Sequence, residues 1–163
     1  MKAWGIMCVI LLVAATPHAP LSLTSLDGAP IEVDLAPGER ALVLHFWATW
    51  CPECIEELPV LDRIGARCAG SGARLLFVNV GEPPEDARRF AAEHAIRGAI
   101  VRDPKGTIWR RYTAAALPAN LTWTAEGLHA EAGPRDEAAW ARTLAALGCG
   151  DGGSSAPRPA EGR

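Results

Sequence analysis

The 163-residue chain has no apolar run reaching the ~20 residues that a membrane-spanning helix needs, which excludes a polytopic membrane protein. It also lacks an excess of basic charge. Sixteen Lys and Arg against nineteen Asp and Glu leave a formal net charge of −3, which argues against a nucleic-acid-binding surface. No internal repeat is present. There is no second Cys-x-x-Cys and no His pair beside the first, so the four close ligands of a structural zinc site are missing. What remains is a chain that is 49% apolar, long enough for one compact domain with its own core.

The two ends differ from the middle. Lys2 is followed by thirteen uncharged, mostly apolar residues, Ala3 to Ala15, and then by small residues up to Ala19. A short positive start, a 7–15-residue apolar stretch and small residues behind it describe a secretory leader. Val13 and Ala15 fit the small-residue cleavage pattern, and Ala19 is a second candidate. Residues 1–19 therefore read as a signal peptide or an uncleaved N-terminal anchor, and the protein as periplasmic or otherwise exported. Met7 stands before Cys8, where a lipoprotein cleavage box needs a small residue, so Cys8 is not read as a lipid anchor. Residues 150–163 are rich in Gly, Ser, Pro and Ala without a hydrophobic period and read as a disordered tail. Export leaves four cysteines, Cys51, Cys54, Cys68 and Cys149, enough for two disulfides in an oxidising compartment.

Between the ends, over residues 20–149, strand-like runs alternate with helical patterns, as in an α/β domain. Leu21 to Leu26 and Ile31 to Leu35 flank Asp27-Gly28, a hairpin signal. Ala41 to Trp47 is a near-continuous apolar run, expected of a central strand covered on both faces. Ile55, Leu58, Leu61, Ile64 and Cys68 then recur at helical spacing. Arg74 to Val80 reads as a second central strand, Glu85 to His94 as a helix, and Ala99 to Val101 as a short strand closed by a turn at residues 103–106. A second hairpin is expected around Ala125-Glu126-Gly127. A last helix is expected from Asp136 to Leu147, burying Trp140, Leu144 and Leu147 and stopped by Gly148.

The chemistry lies in Trp50-Cys51-Pro52-Glu53-Cys54, where the first central strand gives way to a helix. A Cys-x-x-Cys at such a junction reads as a dithiol redox site. Unpaired amide N–H groups at a helix start, together with the helix dipole, stabilise a thiolate. A cysteine of ordinary pKa ~8.5 can fall to between ~3.5 and ~7.5 there. Cys51, at the cap, is expected to be the exposed nucleophile. Cys54, one turn inside, is expected to resolve the mixed disulfide. Pro52 suits the first helical turn and stiffens the spacing between the sulfurs. Trp50 is read as part of the docking surface.

At these residues the chain resembles the exported thioredoxin-like proteins of the TlpA/ResA type, which include thiol-disulfide reductases of cytochrome c biogenesis. The resemblance runs from about Leu21 to Leu147 and is densest over His45 to Cys54. Glu57-Leu58-Pro59 is similar to the family's Glu-x-Pro, Asp103-Pro104-Lys105-Gly106 to its Asp-x-x-Gly turn, and Leu117-Pro118 falls where the family carries a cis-proline. The resemblance implies a thioredoxin fold, a central mixed β-sheet flanked by helices with an N-terminal β-hairpin. It implies that Glu57 shuttles protons, that Pro118 faces the disulfide, and that the backbone of Leu117 pairs with an incoming polypeptide. It further implies a monomer without metal or organic cofactor, since the cysteine pair carries the electrons. Its partners would be oxidised or reduced proteins, among them a membrane thiol-electron transporter and an apocytochrome c. In a thioredoxin fold the motif helix and the last helix run side by side, so Cys68 and Cys149 can bridge. Alternatively, Cys68 is an apolar residue of its helix stripe and Cys149 is free.

Two departures from the pattern matter. His45 stands where the family carries Asn, and it reads either as a proton acceptor for Cys54 or as a satisfied core histidine. Ala119-Asn120-Leu121 replaces a Thr-rich run after the proline. The same cysteine pair with His45 or His129 would also suit Cu(I), so copper delivery stands as a second reading. A disulfide oxidase or isomerase is a third.

Overall fold

The computed structural model describes residues 19–150. The leader and tail readings for residues 1–18 and 151–163 lie outside the described residues. The fold grows from β3 (Ala41–Trp47), whose seven residues are all buried. It pairs in parallel with β4 (Ala73–Val80) and antiparallel with β6 (Ala119–Thr124). A strand with neighbours on both edges and cover on both faces must be apolar throughout, which explains its unbroken ALVLHFW run. Side chains alternate across it. Leu42, Leu44 and Phe46 enter one core, while Val43 and Trp47 enter the other, with His45 between them on that second face.

The sheet is completed by β1 (Leu21–Ser25), β2 (Pro30–Val33), β5 (Ala99–Asp103) and β7 (Gly127–Ala132), in the order β2-β1-β5-β4-β3-β6-β7. Among the helices are α1 (Pro52–Gly65) and α2 (Pro84–Glu93), which make the crossovers from β3 to β4 and from β4 to β5. Both crossovers step the same way across the sheet. The right-handed rule therefore puts both helices on one face, and Leu58, Leu61, Ala87 and Phe90 share one core there. The last helix, α4 (Glu137–Ala146), joins them through Trp140 and Leu144. The short α3 (Thr107–Tyr112) packs Ile108 against the opposite face, with Leu21, Leu23 and Val33 of the N-terminal hairpin.

Helices α1 and α4 lie alongside each other and run the same way. Trp140 Nε1 donates to Glu57 Oε1 across a sequence offset of 83, and Cys68 is bonded to Cys149 across an offset of 81, with Cα atoms 4.4 Å apart. Arg63 adds a two-pronged contact to Glu137, at 2.9 and 3.0 Å. Of the two readings left open for Cys68 and Cys149, the structure has the bridged one.

The strands and long helices stand within a few residues of the positions expected from sequence. Four differences stand out. The second strand ends at Val33, short of Leu35, and the third parallel strand runs on to Asp103 because Arg102 and Asp103 pair with Asn79 and Val80. Helix α3 was not expected. It has only six residues, and the signal for it is a side chain before its start. The Asp103 carboxylate accepts from the amides of Thr107 (2.8 Å) and Trp109 (2.9 Å), satisfying N–H groups that otherwise lack partners. Leu147 is half-buried, since α4 has already ended and Gly148 turns the chain with φ +87°.

The Cys68–Cys149 bridge closes a loop of 81 residues, for which chain-entropy arguments give stabilisation of up to about 4 kcal/mol. Cys68→Ala/Cys149→Ala is expected to lower the urea midpoint accordingly. A chain carrying Cys8→Ser, Cys51→Ser and Cys54→Ser is expected to take up no alkyl group, by intact mass, until a reductant is added. Two alkyl groups added without reductant would contradict the pairing.

Candidate active site

The dithiol lies where β3 ends. Ala48 to Trp50 form a turn in which the Cys51 amide donates to the Ala48 carbonyl (3.2 Å), and α1 starts at Pro52. Proline at this first helical position costs no hydrogen bond, because its missing N–H would have been unpaired. Cys51 is the N-cap, with extended backbone, and its Sγ accepts from the Cys54 amide at 3.3 Å. Cys51 and Cys54 are bonded to each other, with Cα atoms 5.2 Å apart. The expectation that Cys51 is exposed needs correction: it is 3% exposed and Cys54 is 0% exposed. Cys51 is turned inward by its bond to Cys54 and by the helix amide it caps. Solvent instead meets Trp50, which at 63% is the exposed large apolar side chain among the described residues. Pro52 and Glu53 are exposed beside it, as is Glu56.

Leu117 packs against the core that holds both cysteines, and the Leu117–Pro118 peptide is cis at the entry to β6. Pro118 is buried, and its carbonyl accepts from the Gly133 amide at 2.9 Å.

Two buried polar side chains lie under the helix. Glu57, 5% exposed, sits one turn beyond Cys54 on the same side of α1. Trp140 Nε1 holds its Oε1, while its Oε2 is buried with no hydrogen-bond partner. Burial pushes this carboxyl above its ordinary range, opposed by the Trp140 N–H and by the Arg135 backbone and guanidinium. His45 is fully buried with its ring edge-on to Phe77 and Trp140, at 6.2 and 5.9 Å between ring centroids. Its Nδ1 lies 2.9 Å from Asn120 Oδ1 on the paired residue of β6. An amide oxygen only accepts, so Nδ1 carries the proton and the lone pair resides on Nε2. Burial lowers the His45 pKa from 6.5 to about 4, against the Asn120 contact that raises it. A base this weak is poorly matched to a thiol, and since Nε2 is buried without a hydrogen-bond partner the ring is not the fully satisfied core histidine of the other reading either.

One side chain escaped the sequence reading. Glu82, in the turn after β4, is 9% exposed. Its Oε2 accepts from the Thr49 amide (2.9 Å) and from Asn79 Nδ2 (2.6 Å), while its Oε1 accepts from the Thr49 hydroxyl. The available signal was Asn79, a polar residue in an otherwise apolar buried strand, which must find a partner. Other expected contacts do not form. His129 is exposed on the edge strand β7, opposite Thr122, which in turn pairs with Val43 well back from the dithiol end of β3. Among the described residues, no three His, Cys, Asp or Glu side chains are grouped so as to hold a metal ion, and no helix is long and apolar enough to cross a membrane.

A Cys-x-x-Cys disulfide capping the first helix after a central strand, with a cis-proline at the entry to β6, on a mixed sheet with an N-terminal hairpin, defines a thioredoxin-fold protein. The AhpC/TSA family matches residues 15–128, and the chain belongs to that family. The soluble secreted antigen MPT53 of Mycobacterium tuberculosis is 30% identical over 117 residues, covering 71% of this chain and 65% of that protein. Thiol-disulfide oxidoreductase ResA of Geobacillus kaustophilus is 32% identical over 79 residues, covering 48% of this chain and 45% of that protein. The chain thus spans less than two thirds of the length of these curated relatives. Among solved structures, a secreted Mycobacterium tuberculosis disulfide oxidoreductase homologous to Escherichia coli DsbE has a TM-score of 0.66 at 25% identity, covering 78% of this chain and 96% of that one. Mycobacterium tuberculosis DsbF, at 23% identity and a TM-score of 0.71, shares the fold over 81% of this chain and 99% of its own. The resemblance to the TlpA/ResA type therefore holds.

The low pKa of His45 has a consequence for stability. The unfolded chain takes up the His45 proton near pH 6.5 and the folded one only near pH 4, so stability is lost as pH falls between those values. About 2 kcal/mol should disappear between pH 7 and pH 5. His45→Asn is expected to abolish that loss, measured as the difference in urea midpoints at the two pH values.

Proposed function

We propose that this chain is an exported thiol-disulfide oxidoreductase that reduces disulfides in other proteins, as in cytochrome c maturation. The observation that carries the reading is the Cys51–Cys54 disulfide at the α1 N-terminus, with a helix amide donating to Cys51 Sγ beside the exposed Trp50. The same donor and the helix dipole favour a Cys51 thiolate once the pair is reduced. That thiolate attacks one sulfur of a partner's cystine, a mixed disulfide forms, and the second partner sulfur leaves as a thiolate. Cys54 then loses its proton and attacks Cys51 Sγ. The partner departs with both cysteines reduced, and this chain returns to its disulfide, two electrons having passed to the partner.

Glu57 is the acceptor for the Cys54 proton in this scheme. Its Oε2 is unpaired, it lies one helical turn away, and burial favours its protonated form. Trp50 and Pro52 are the exposed part of the docking surface, with the half-buried Leu117 offering its backbone to an extended partner segment and the buried cis-Pro118 shaping the chain behind it. The names of the relatives, a secreted antigen and ResA, support export and dithiol exchange. Reducing equivalents would be supplied by a membrane thiol-electron transporter, and apocytochrome c is the substrate class most consistent with the resemblance.

Titration of the Cys51–Cys54 pair against a thiol buffer, read by Trp fluorescence, is expected to give a reduction potential near about −270 mV or below. A value near about −120 mV would mark an oxidant and remove the cytochrome-maturation reading. Glu57→Gln is expected to slow decay of the mixed disulfide by about 10²-fold in stopped-flow, with formation of that intermediate little changed.

A further inference from the structure

Glu82 plays no part in the exchange chemistry, yet it is tied to the segment that carries the nucleophile. Its carboxylate receives three donors, two of them from Thr49, which stands two residues before Cys51. Glu82 is itself fixed from the other side. Arg102 Nη2 donates to its carbonyl at 2.9 Å, and the preceding Gly81 amide donates to the Asp103 carbonyl at 3.1 Å. Trp47, Asn79 and Arg102 are neighbours in register across β3, β4 and β5. Asn79 of β4 and Thr49 just after β3 thus hold the Glu82 side chain while Arg102 of β5 holds its backbone, and the free end of that arrangement is the Thr49-Trp50-Cys51 turn.

Both donor groups of Thr49 are satisfied by one side chain, so the turn has two fixed points: Thr49 on Glu82, and Cys51 on the Cys54 amide. Trp50, held between them, projects into solvent because its neighbours on both sides are anchored inward. We infer that Glu82 is the positioning residue of the dithiol turn, holding Thr49 so that Cys51 and Trp50 are presented together to a partner disulfide. This rests on the dithiol-exchange reading above. Positioning requires the hydrogen bonds at both ends of the side chain and not its charge. A glutamine preserves the arrangement: its oxygen takes the Thr49 amide and Asn79, and its NH2 donates to the Thr49 hydroxyl.

The test uses the full chain, reduced and then mixed with oxidised glutathione, following Trp fluorescence and the Cys51–Cys54 reduction potential. Glu82→Ala is expected to slow formation of the mixed disulfide about tenfold and to shift the potential, and Glu82→Gln to recover most of the rate. Should Glu82→Ala not fold, Thr49→Val removes only the hydroxyl contact and is expected to slow the same step several-fold. The inference is overturned if Glu82→Ala, or Thr49→Val in its place, keeps the parent rate and potential. It is overturned equally if Glu82→Gln is as slow as Glu82→Ala. Failure of the parent chain itself to exchange with glutathione would overturn the dithiol reading, and the inference with it, which separates the two kinds of failure.

Discussion

Everything at the active site depends on the seam between helix α1 and strand β3. Leu58 and Leu61 on the helix, Val43 and Trp47 on the strand, Phe77 on β4 and Trp140 on α4 are all at or near zero exposure. Burying side chains of this size contributes roughly 1.5–3 kcal/mol each, and close packing leaves the helix little freedom to slide or rotate. Because α1 is locked along its length, its first turn is locked too, and with it the Cys54 amide that donates to Cys51 Sγ. The helix tolerates Pro59 in its interior, which removes one backbone bond, because packing rather than intrinsic propensity holds it in place.

The seam is not purely apolar, and the polar exceptions are organised around the site. His45 meets Asn120, Glu57 meets Trp140, and Asn79 meets Glu82. Each pair joins different elements, so each restricts how those elements pack. Each also leaves a polar atom without a partner, on His45 Nε2, Asn120 Nδ2, Glu57 Oε2 and Asn79 Oδ1. Such atoms are costly in a core, so the surrounding packing rather than complete hydrogen bonding keeps these side chains inside. Glu57 lies on α1 itself, its unpaired carboxylate oxygen one helical turn from Cys54.

The two disulfides play opposite parts in this arrangement. Cys51–Cys54 spans three residues at the head of α1, next to the exposed Trp50. Cys68–Cys149 spans 81 residues, just beyond the far end of α1, and ties that end to the end of α4. Since α4 carries the tryptophan that holds Glu57, the long-range bridge fixes the helix whose side chain orients that buried carboxyl. A redox-active pair at one end of a helix thus works against a scaffold clamped at the other.

The sequence alone determined the features that local patterns encode. The unbroken ALVLHFW run meant a central strand, because only burial on both faces tolerates it, and the 3.6-residue stripe that follows meant a helix packed on it. The Cys-x-x-Cys between them located the dithiol, and the ordered landmarks Glu57-Leu58-Pro59, residues 103–106 and Leu117-Pro118 implied the fold. Tertiary structure alone decided which side chains meet. Glu82 is 33 residues from Thr49, Asn120 is 75 from His45, and Trp140 is 83 from Glu57. No local periodicity encodes such contacts, since they arise from sheet order and helix packing. The exposure of Cys51 was decided there as well. A cap position predicts an accessible sulfur, but the bond to Cys54 and the helix amide turn it inward, leaving Trp50 as the group that solvent meets.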